Sequence, residues 1–344
     1  MKVGILTGGG DCPGLNAVIR AATRKMIAEY NYEVHGIRDG WRGLVDNDTF
    51  PLSIAEVEGI LKQGGTMLNT SRTNPFKDEA QLKSTLETVR ADNFDAIIAI
   101  GGDDTLGAAT RLYEEHDVPT VGVPKTIDND LNGTDYTFGF DTAVSIATDA
   151  IDRCRTTAAS HHRTLVVEVM GRHAGWIALH SGIASGADII LLPEFPFSMK
   201  DINERLRKST DAGQKNHIVV VAEGATMEDQ DDFITKDESV DEFGHVKLGG
   251  IADILADQIE KSVGLETRSV ILGHIQRGGT PTARDRVLST RFGLKAADMV
   301  AGKHFGQMAA LRGDEIVNVP LSEATGELKV VNKDLYEITK YLTV

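Results

Sequence analysis

Cysteine is nearly absent from this chain. Two residues, Cys12 and Cys154, do not suggest a disulfide framework, and reduced thiols in a cytoplasmic protein are the simpler expectation. Long apolar runs are missing too. The first, residues 3–6, stops at a glycine-rich turn and is too short for the core of a signal peptide. No later stretch approaches the roughly 20 residues of a membrane span. Basic charge is in deficit: 36 Lys and Arg against 51 Asp and Glu give a formal net charge of −15. Nucleic acid and anionic membranes both call for a basic footprint, so neither is expected as a partner. A small anionic substrate is not excluded, because a local group of arginines can reverse the field inside one cleft. No HExxH pattern or paired Cys/His spacing occurs, which argues against zinc. No internal repeat or low-complexity linker divides the chain.

What is present is enough apolar residue, 41% of 344, to fill the cores of two ordinary domains. Short Val/Ile/Leu-rich runs alternate with helical patterns. Residues 2–10 read as a strand entering a glycine turn, and 16–30 follow with helical spacing. Residues 94–105 and 119–130 repeat the strand-and-turn form, with a helix between them over 106–116. The same form returns at 163–175, 187–194, 217–225 and 268–279. Continuous apolar strands separated by helices imply parallel sheets covered on both faces, and two such series predict an α/β protein with two sheets. Ligands in that architecture gather beyond the carboxyl ends of the strands. The stretch 226–246 differs: it is acidic and poor in apolar residues, reads as a solvated insertion, and receives no function.

The strand ends carry the chemistry. Gly8, Gly9, Gly10 and Asp11 lie between a strand and a helix, where backbone N–H groups make an anion site. The pattern is not GxGxxG, so a dinucleotide-binding dehydrogenase is a weak rival. Gly101, Gly102, Asp103, Asp104 and Thr105 suit a phosphate turn with a carboxylate aimed at Mg²⁺, and Asp103 is the candidate ligand; a helix N-cap is the plainer role for such an Asp. The segment 124–130 places Asp128 and Asp130 two residues apart beside Lys125. If it is extended, both carboxylates point to one side, one to take a proton from a hydroxyl and the other to orient it or the metal. Basic residues then mark the ends of the later strands: Arg163, Arg172, Arg268, His274 and Arg277, with Arg72 after an earlier glycine turn. Singly, each is a surface ion pair as readily as a ligand; as a set they fit a substrate with several phosphate groups.

In this order, GGGDCPGLN, GGDDT, PKTIDND, SHHR, EVMGRHAGW, AEG and GHIQRGG resemble the 6-phosphofructokinase family over residues 4 to about 300. The resemblance implies two Rossmann-like three-layer α/β/α domains with mainly parallel sheets and the active site between them. One spans 1–139 and 276–344 and takes Mg²⁺ and the phosphoryl donor; the other, 140–275, takes fructose 6-phosphate. It implies Asp128 as the base toward the sugar 1-hydroxyl, Asp103 as the Mg²⁺ ligand, and Thr126 and Asp130 in support. Gly10 and Arg72 would contact the transferring phosphoryl region and Arg172 would stabilise its charge. Met170, Gly171, Glu223 and Arg277 would surround the sugar. Arg163, Arg268 and His274 would bind its phosphate, with Arg163 and Arg268 arriving from a neighbouring subunit of a homodimer or homotetramer.

Two positions depart from the ATP-dependent pattern, where glycines stand at Asp104 and Lys125. This pair resembles the branch that uses pyrophosphate, so pyrophosphate is the expected donor, the ATP-dependent enzyme the alternative, and a silent sugar-phosphate sensor a more distant one. The chain is also expected to stop before the family's last C-terminal segment. Of the family's basic effector site, Arg20, Arg24 and Arg155 match in part, and Asp188 replaces a Glu, so allosteric control by nucleotides is not expected.

Overall fold

A computed structural model describes residues 1–228, 235–240 and 246–341. They divide into two compact units, the first built from Met1–Thr142 and Arg277–Leu328, the second from Ala143–Val240, Val246–Gln276 and the stretch from Lys329 onward. The sequence reading returned all of 276–344 to the first domain, whereas the stretch from Lys329 packs with the second.

The first unit opens with β1 (Lys2–Thr7), α1 (Leu15–Ala28), β2 (Glu33–Ile37), α2 (Trp41–Val45), β3 (Thr49–Leu52), α3 (Glu79–Ala91), β4 (Ala96–Gly101), α4 (Asp103–His116), β5 (Thr120–Thr126) and β6 (Phe138–Gly139). Helix α5 (Phe140–His161) leads into the second unit, which holds β7 (Thr164–Val169), α6 (Trp176–Ser185), β8 (Ile189–Leu191), α7 (Met199–Asp211), β9 (His217–Ala222), β10 (Thr235–Val240), β11 (Val246–Leu248), α8 (Ile251–Val263) and β12 (Thr267–Ile271). The chain then returns to the first unit as α9 (Ala283–Ala301), β13 (Gln307–Arg312), β14 (Glu315–Pro320) and α10 (Leu321–Thr325), and adds α11 (Lys333–Glu337) to the second.

The first sheet runs β14-β13-β5-β4-β1-β2-β3, with β6 beside β5. Its interior pairs are parallel, and only the edge pairs β2–β3 and β13–β14 are antiparallel. Every residue of β4 is buried, as a strand covered by helices on both faces must be. Leu6, Ile97 and Ala99 of the sheet pack with Leu106 and Leu112 of α4 and with Met308 of β13. The second sheet, β12-β7-β9-β8, is parallel throughout, and β7 and β9 are wholly buried. Its strands pack through Val166, Val219 and Val221 against Leu255 and Ile259 of α8. The architecture is therefore the α/β one with mainly parallel sheets. The insertion read at 226–246 lies in large part outside the described residues; within it β10 pairs antiparallel with β11.

Candidate active site

In the first unit the neighbouring strands β1, β4 and β5 place three turns side by side at their carboxyl ends. The glycines there answer to a close approach. A Cβ on Gly8 would lie 2.5 Å from Thr105 Oγ1, and one on Gly101 would lie 2.2 Å from Thr105 Cβ, so Thr105 of α4 holds both turns at van der Waals range. Gly8 N donates to Ile100 O at 3.0 Å and Gly9 N to Ser71 O at 3.0 Å, while Thr70 Oγ1 donates to Gly9 O at 2.6 Å. These bonds join the loop that carries Arg72 to the glycine turn. A Cβ on Gly10 would sit 2.1 Å from Arg277 Nη1. Gly10 is therefore the floor beneath the Arg277 guanidinium, and both belong to the first unit.

Lys125 is 4% exposed and donates from Nζ to Gly10 O at 2.5 Å. Burial lowers its pKa, opposed in part by Asp128 and Asp103. Cys12 lies against the same turn, wholly buried, and burial pushes its thiol far up, so it is inert as a nucleophile. Helix α4 begins at Asp103 with Gly102 as N-cap and no side-chain cap, so Asp103 and Asp104 form its first turn beside the amides that face an anion.

Asp128 and Asp130 come together by a different route from the extended one. Asn129 between them is left-handed, φ 53°. Its Oδ1 accepts from Thr137 N at 3.0 Å and Thr137 Oγ1 at 3.3 Å, and Thr137 Oγ1 also lies 2.8 Å from Thr126 O as donor. Asp128 N donates to Thr126 Oγ1 at 3.0 Å. The result is a locked bend. Asp128 is 6% exposed, and its buried Oδ1 has no hydrogen-bond partner. Burial, then the charges of Asp128 and Asp103, push Asp130 up to about 7.

Among the described residues no group of three or more His, Cys, Asp and Glu could hold a metal. A cation here would have fewer protein ligands and would complete its shell with phosphate oxygens, as Mg²⁺ can. The orphaned Asp128 oxygen, in the mutual field of Asp103 and Asp130, fits such a charge.

In the second unit the loop after β7 carries Met170, Gly171 (φ 148°) and Arg172, itself left-handed at φ 51°. A long side chain rarely adopts that conformation. It is held by Arg172 N donating to Glu223 Oε1 at 3.2 Å and by Gly224, where a Cβ would meet Arg172 O at 1.9 Å. Met170 N donates to Gln276 Oε1 at 3.4 Å. Arg163 and Arg268 lie elsewhere. The sequence reading set them at strand ends with the others; Arg163 precedes β7 and Arg268 is second in β12, at the amino ends of strands paired in parallel. Glu266 Oε1 accepts from Arg163 Nη2 at 2.7 Å and Arg268 Nη2 at 2.9 Å, and Glu260 takes Arg268 Nη1 at 3.1 Å. His274 is exposed in the short turn Gly273–Arg277.

The effector candidates have local partners. Arg24 binds Glu58 at 2.5 Å, Arg155 donates to Ser185 O and Gly186 O, and Asp188 accepts from Gln214 Nε2 and Ile218 N. Arg20 Nε is buried without a hydrogen-bond partner. Sequence reasoning gave no individual role to Asn129, Thr137 or Gln276. Gln276 lies within a motif already singled out; Asn129 and Thr137 carried no signal, since their pairing needs the bend to exist.

A phosphofructokinase family profile matches residues 2–300. The pyrophosphate–fructose 6-phosphate 1-phosphotransferase of Streptomyces coelicolor is 59% identical over 98% of this chain and 98% of its own length. A Mycobacterium bovis protein named ATP-dependent 6-phosphofructokinase is 49% identical over 98% of each chain. Among solved structures, Pichia pastoris phosphofructokinase in the T-state superposes with a TM-score of 0.82 at 32% identity, over 99% of this chain and 36% of that longer one.

Proposed function

The chain belongs to the phosphofructokinase family, and from that premise we propose that it transfers a phosphoryl group from pyrophosphate to the 1-hydroxyl of fructose 6-phosphate, releasing phosphate and fructose 1,6-bisphosphate. The observation that carries the donor is Lys125: a buried ammonium held on the glycine turn at Gly10 O, at a position where the resemblance set a glycine for the ATP-dependent pattern.

Asp128, beside a carboxyl whose pKa burial raises, takes the proton of the 1-hydroxyl as that oxygen bonds to phosphorus and the bridging P–O bond breaks. Lys125, Gly10 and Arg72 position the diphosphate, and Arg172 is assigned to the charge on the transferring group. Met170, Gly171, Glu223 and Arg277 are assigned to the sugar, and Arg163, Arg268 and His274 to its phosphate. A divalent cation, Mg²⁺ by ligand type and held by Asp103, would neutralise the donor's charge. The reading extends to a cytoplasmic location, which two free thiols suit.

Asp104 puts a carboxylate in the α4 first turn, where a nucleotide's α-phosphate would pass. Two like charges about 4 Å apart repel by roughly 4 kcal/mol at an effective dielectric near 20. Pyrophosphate and ATP assayed side by side test the reading. We expect kcat/KM for pyrophosphate at least about tenfold above ATP, a difference of about 1.4 kcal/mol, and a narrowed or reversed ratio in Asp104→Gly, Lys125→Gly. A wild-type preference for ATP, the activity named for the Mycobacterium relative, overturns the donor.

A further inference from the structure

The segment from Lys329 to Tyr341 is tied to the second unit at three places, and two of them bear on the loop that carries Arg172. Glu194, just past β8, accepts through Oε1 from Gly175 N at 2.9 Å and from Val331 N at 2.9 Å. Gly175 closes the 170–175 loop, and Val331 is 2% exposed. Next along the chain, Trp176 Nε1 donates to Lys329 O at 2.7 Å, and Lys329 Nζ lies 5.7 Å from the Trp176 ring centroid. Farther on, Tyr336 stacks on Phe195 with centroids 4.4 Å apart and planes 4° from parallel, and its hydroxyl donates to Ile190 O at 3.1 Å. A carboxylate bonded to two backbone amides is a strong, directional anchor. Here one oxygen spans two segments more than 150 residues apart in sequence.

The loop has reason to need an anchor. Gly171 and Arg172 are both at positive φ, and the bond from Arg172 N to Glu223 is a long 3.2 Å. A strained turn keeps its shape only where its surroundings over-determine it. Glu194 and Trp176 fix the end of the loop opposite to Glu223, and Gly175 has no room for a side chain, because a Cβ there would lie 2.7 Å from Leu192 Cδ2 and 2.8 Å from Glu194 Oε2.

We propose that the 329–341 segment is a strap whose anchor, Glu194, positions the Arg172 loop for fructose 6-phosphate, with Trp176 as a second positioning residue. The proposal rests on the assignment of Arg172, Met170 and Gly171 to that substrate. Neither Glu194 nor Trp176 touches the reacting atoms; each acts through the loop.

The test uses the full-length chain. Glu194→Ala should raise KM for fructose 6-phosphate about tenfold while KM for pyrophosphate, bound by the other unit, changes less than about twofold. Glu194→Gln keeps an acceptor oxygen for the two amides and should restore most of the affinity. Loss of folded protein alone would lower apparent kcat and leave KM in place, so the split separates positioning from instability. Hydrogen exchange supplies a readout free of activity: Glu194→Ala should speed amide exchange in both 170–176 and 329–337. Trp176→Phe, which removes one hydrogen bond and keeps the ring, should do the same to a smaller degree, and serves if Glu194→Ala does not fold. Unchanged KM and unchanged exchange in a wild-type-active background overturn the strap. An inactive wild type with exchange that still responds would instead overturn the substrate assignment and leave the tie itself standing.

Discussion

Asp128 holds a buried carboxylate oxygen that no donor among the described residues satisfies, one bend away from a second acid and within the field of a third. Such an arrangement costs stability, since like charges in a desolvated place repel. Folding alone gives no reason to keep it; the proposed proton abstraction beside a bound cation would. Asp128→Asn therefore has two expected outcomes of opposite sign. The value of kcat should fall by about 10²–10⁴-fold, the range for a lost general base, with KM for fructose 6-phosphate within about threefold. The melting temperature should stay level or rise, because the substitution removes one of the clashing charges. A variant with more than half of wild-type kcat defeats the assignment. The sequence singled this residue out because a Lys-Thr-Ile-Asp-Asn-Asp run after an apolar strand has few plain uses. Its geometry was not readable there. An alternation rule for extended chain put Asp128 and Asp130 on one side, whereas the structure brings them together through a left-handed Asn129 pinned by Thr137.

Elements repeat the pattern. Strands β4, β7 and β9 were legible because burial on both faces leaves a run of Val, Ile and Leu with no polar interruption. The edge strands β13 and β14 went unread: β14 alternates irregularly between exposed and half-buried residues, and antiparallel edges give no such run. The helix start at Asp103 was placed a little late, since two acids after two glycines look like a turn and also suit a first helical turn. The entry to α5 shows a device that sequence does not announce. Asp285 Oδ2, from α9, accepts from Thr142 N at 2.8 Å and Thr142 Oγ1 at 2.5 Å, capping the first turn of another helix. It is fully buried, and burial raises its pKa from 3.8 to about 6 despite those bonds. A carboxyl whose pKa is raised in the folded state binds its proton more tightly there than in the unfolded chain, so its contribution to stability falls as pH rises from about 4 to about 6. The ceiling on that loss is about 3 kcal/mol. Asp285→Asn keeps an acceptor for Thr142 and cannot ionise. The melting temperature of the variant minus that of the wild type should become more positive between pH 4 and pH 7, then level off. A difference that is flat or declines over that window would show that the ionised form is no burden at this helix junction.

At the scale of the whole molecule the question is which parts of one chain can serve one substrate. Strand β7 has Arg163 before its first residue and Met170, Gly171 and Arg172 after its last. Six residues at about 3.3 Å each separate the two groups by roughly 20 Å, longer than a hexose phosphate. Arg268 sits with Arg163, because Glu266 draws both guanidinium groups to one carboxylate at the amino ends of β7 and β12. Strand β12 is the open edge of its sheet, and the Arg268 side chain is 53% exposed. One chain therefore cannot apply both groups to the same fructose 6-phosphate, yet the proposed assignment asks for both. A two-fold pair would resolve this, with each chain lending its Arg163 and Arg268 to the sugar phosphate held by the other's Arg172 loop. The expected state is an obligate homo-oligomer by light scattering at assay concentration. Arg268→Ala should raise KM for fructose 6-phosphate with the fold intact. The decisive experiment is complementation. In a hybrid pair of Arg172→Ala with Arg268→Ala, one site carries both lesions and the other carries neither. Co-expressed chains in equal amounts form such hybrids half the time, so activity at low fructose 6-phosphate should recover to about a quarter of wild type from two nearly silent parents. If Arg172 and Arg268 served the same chain's site, every site in every combination would carry one lesion, and the mixture would be no better than its parents.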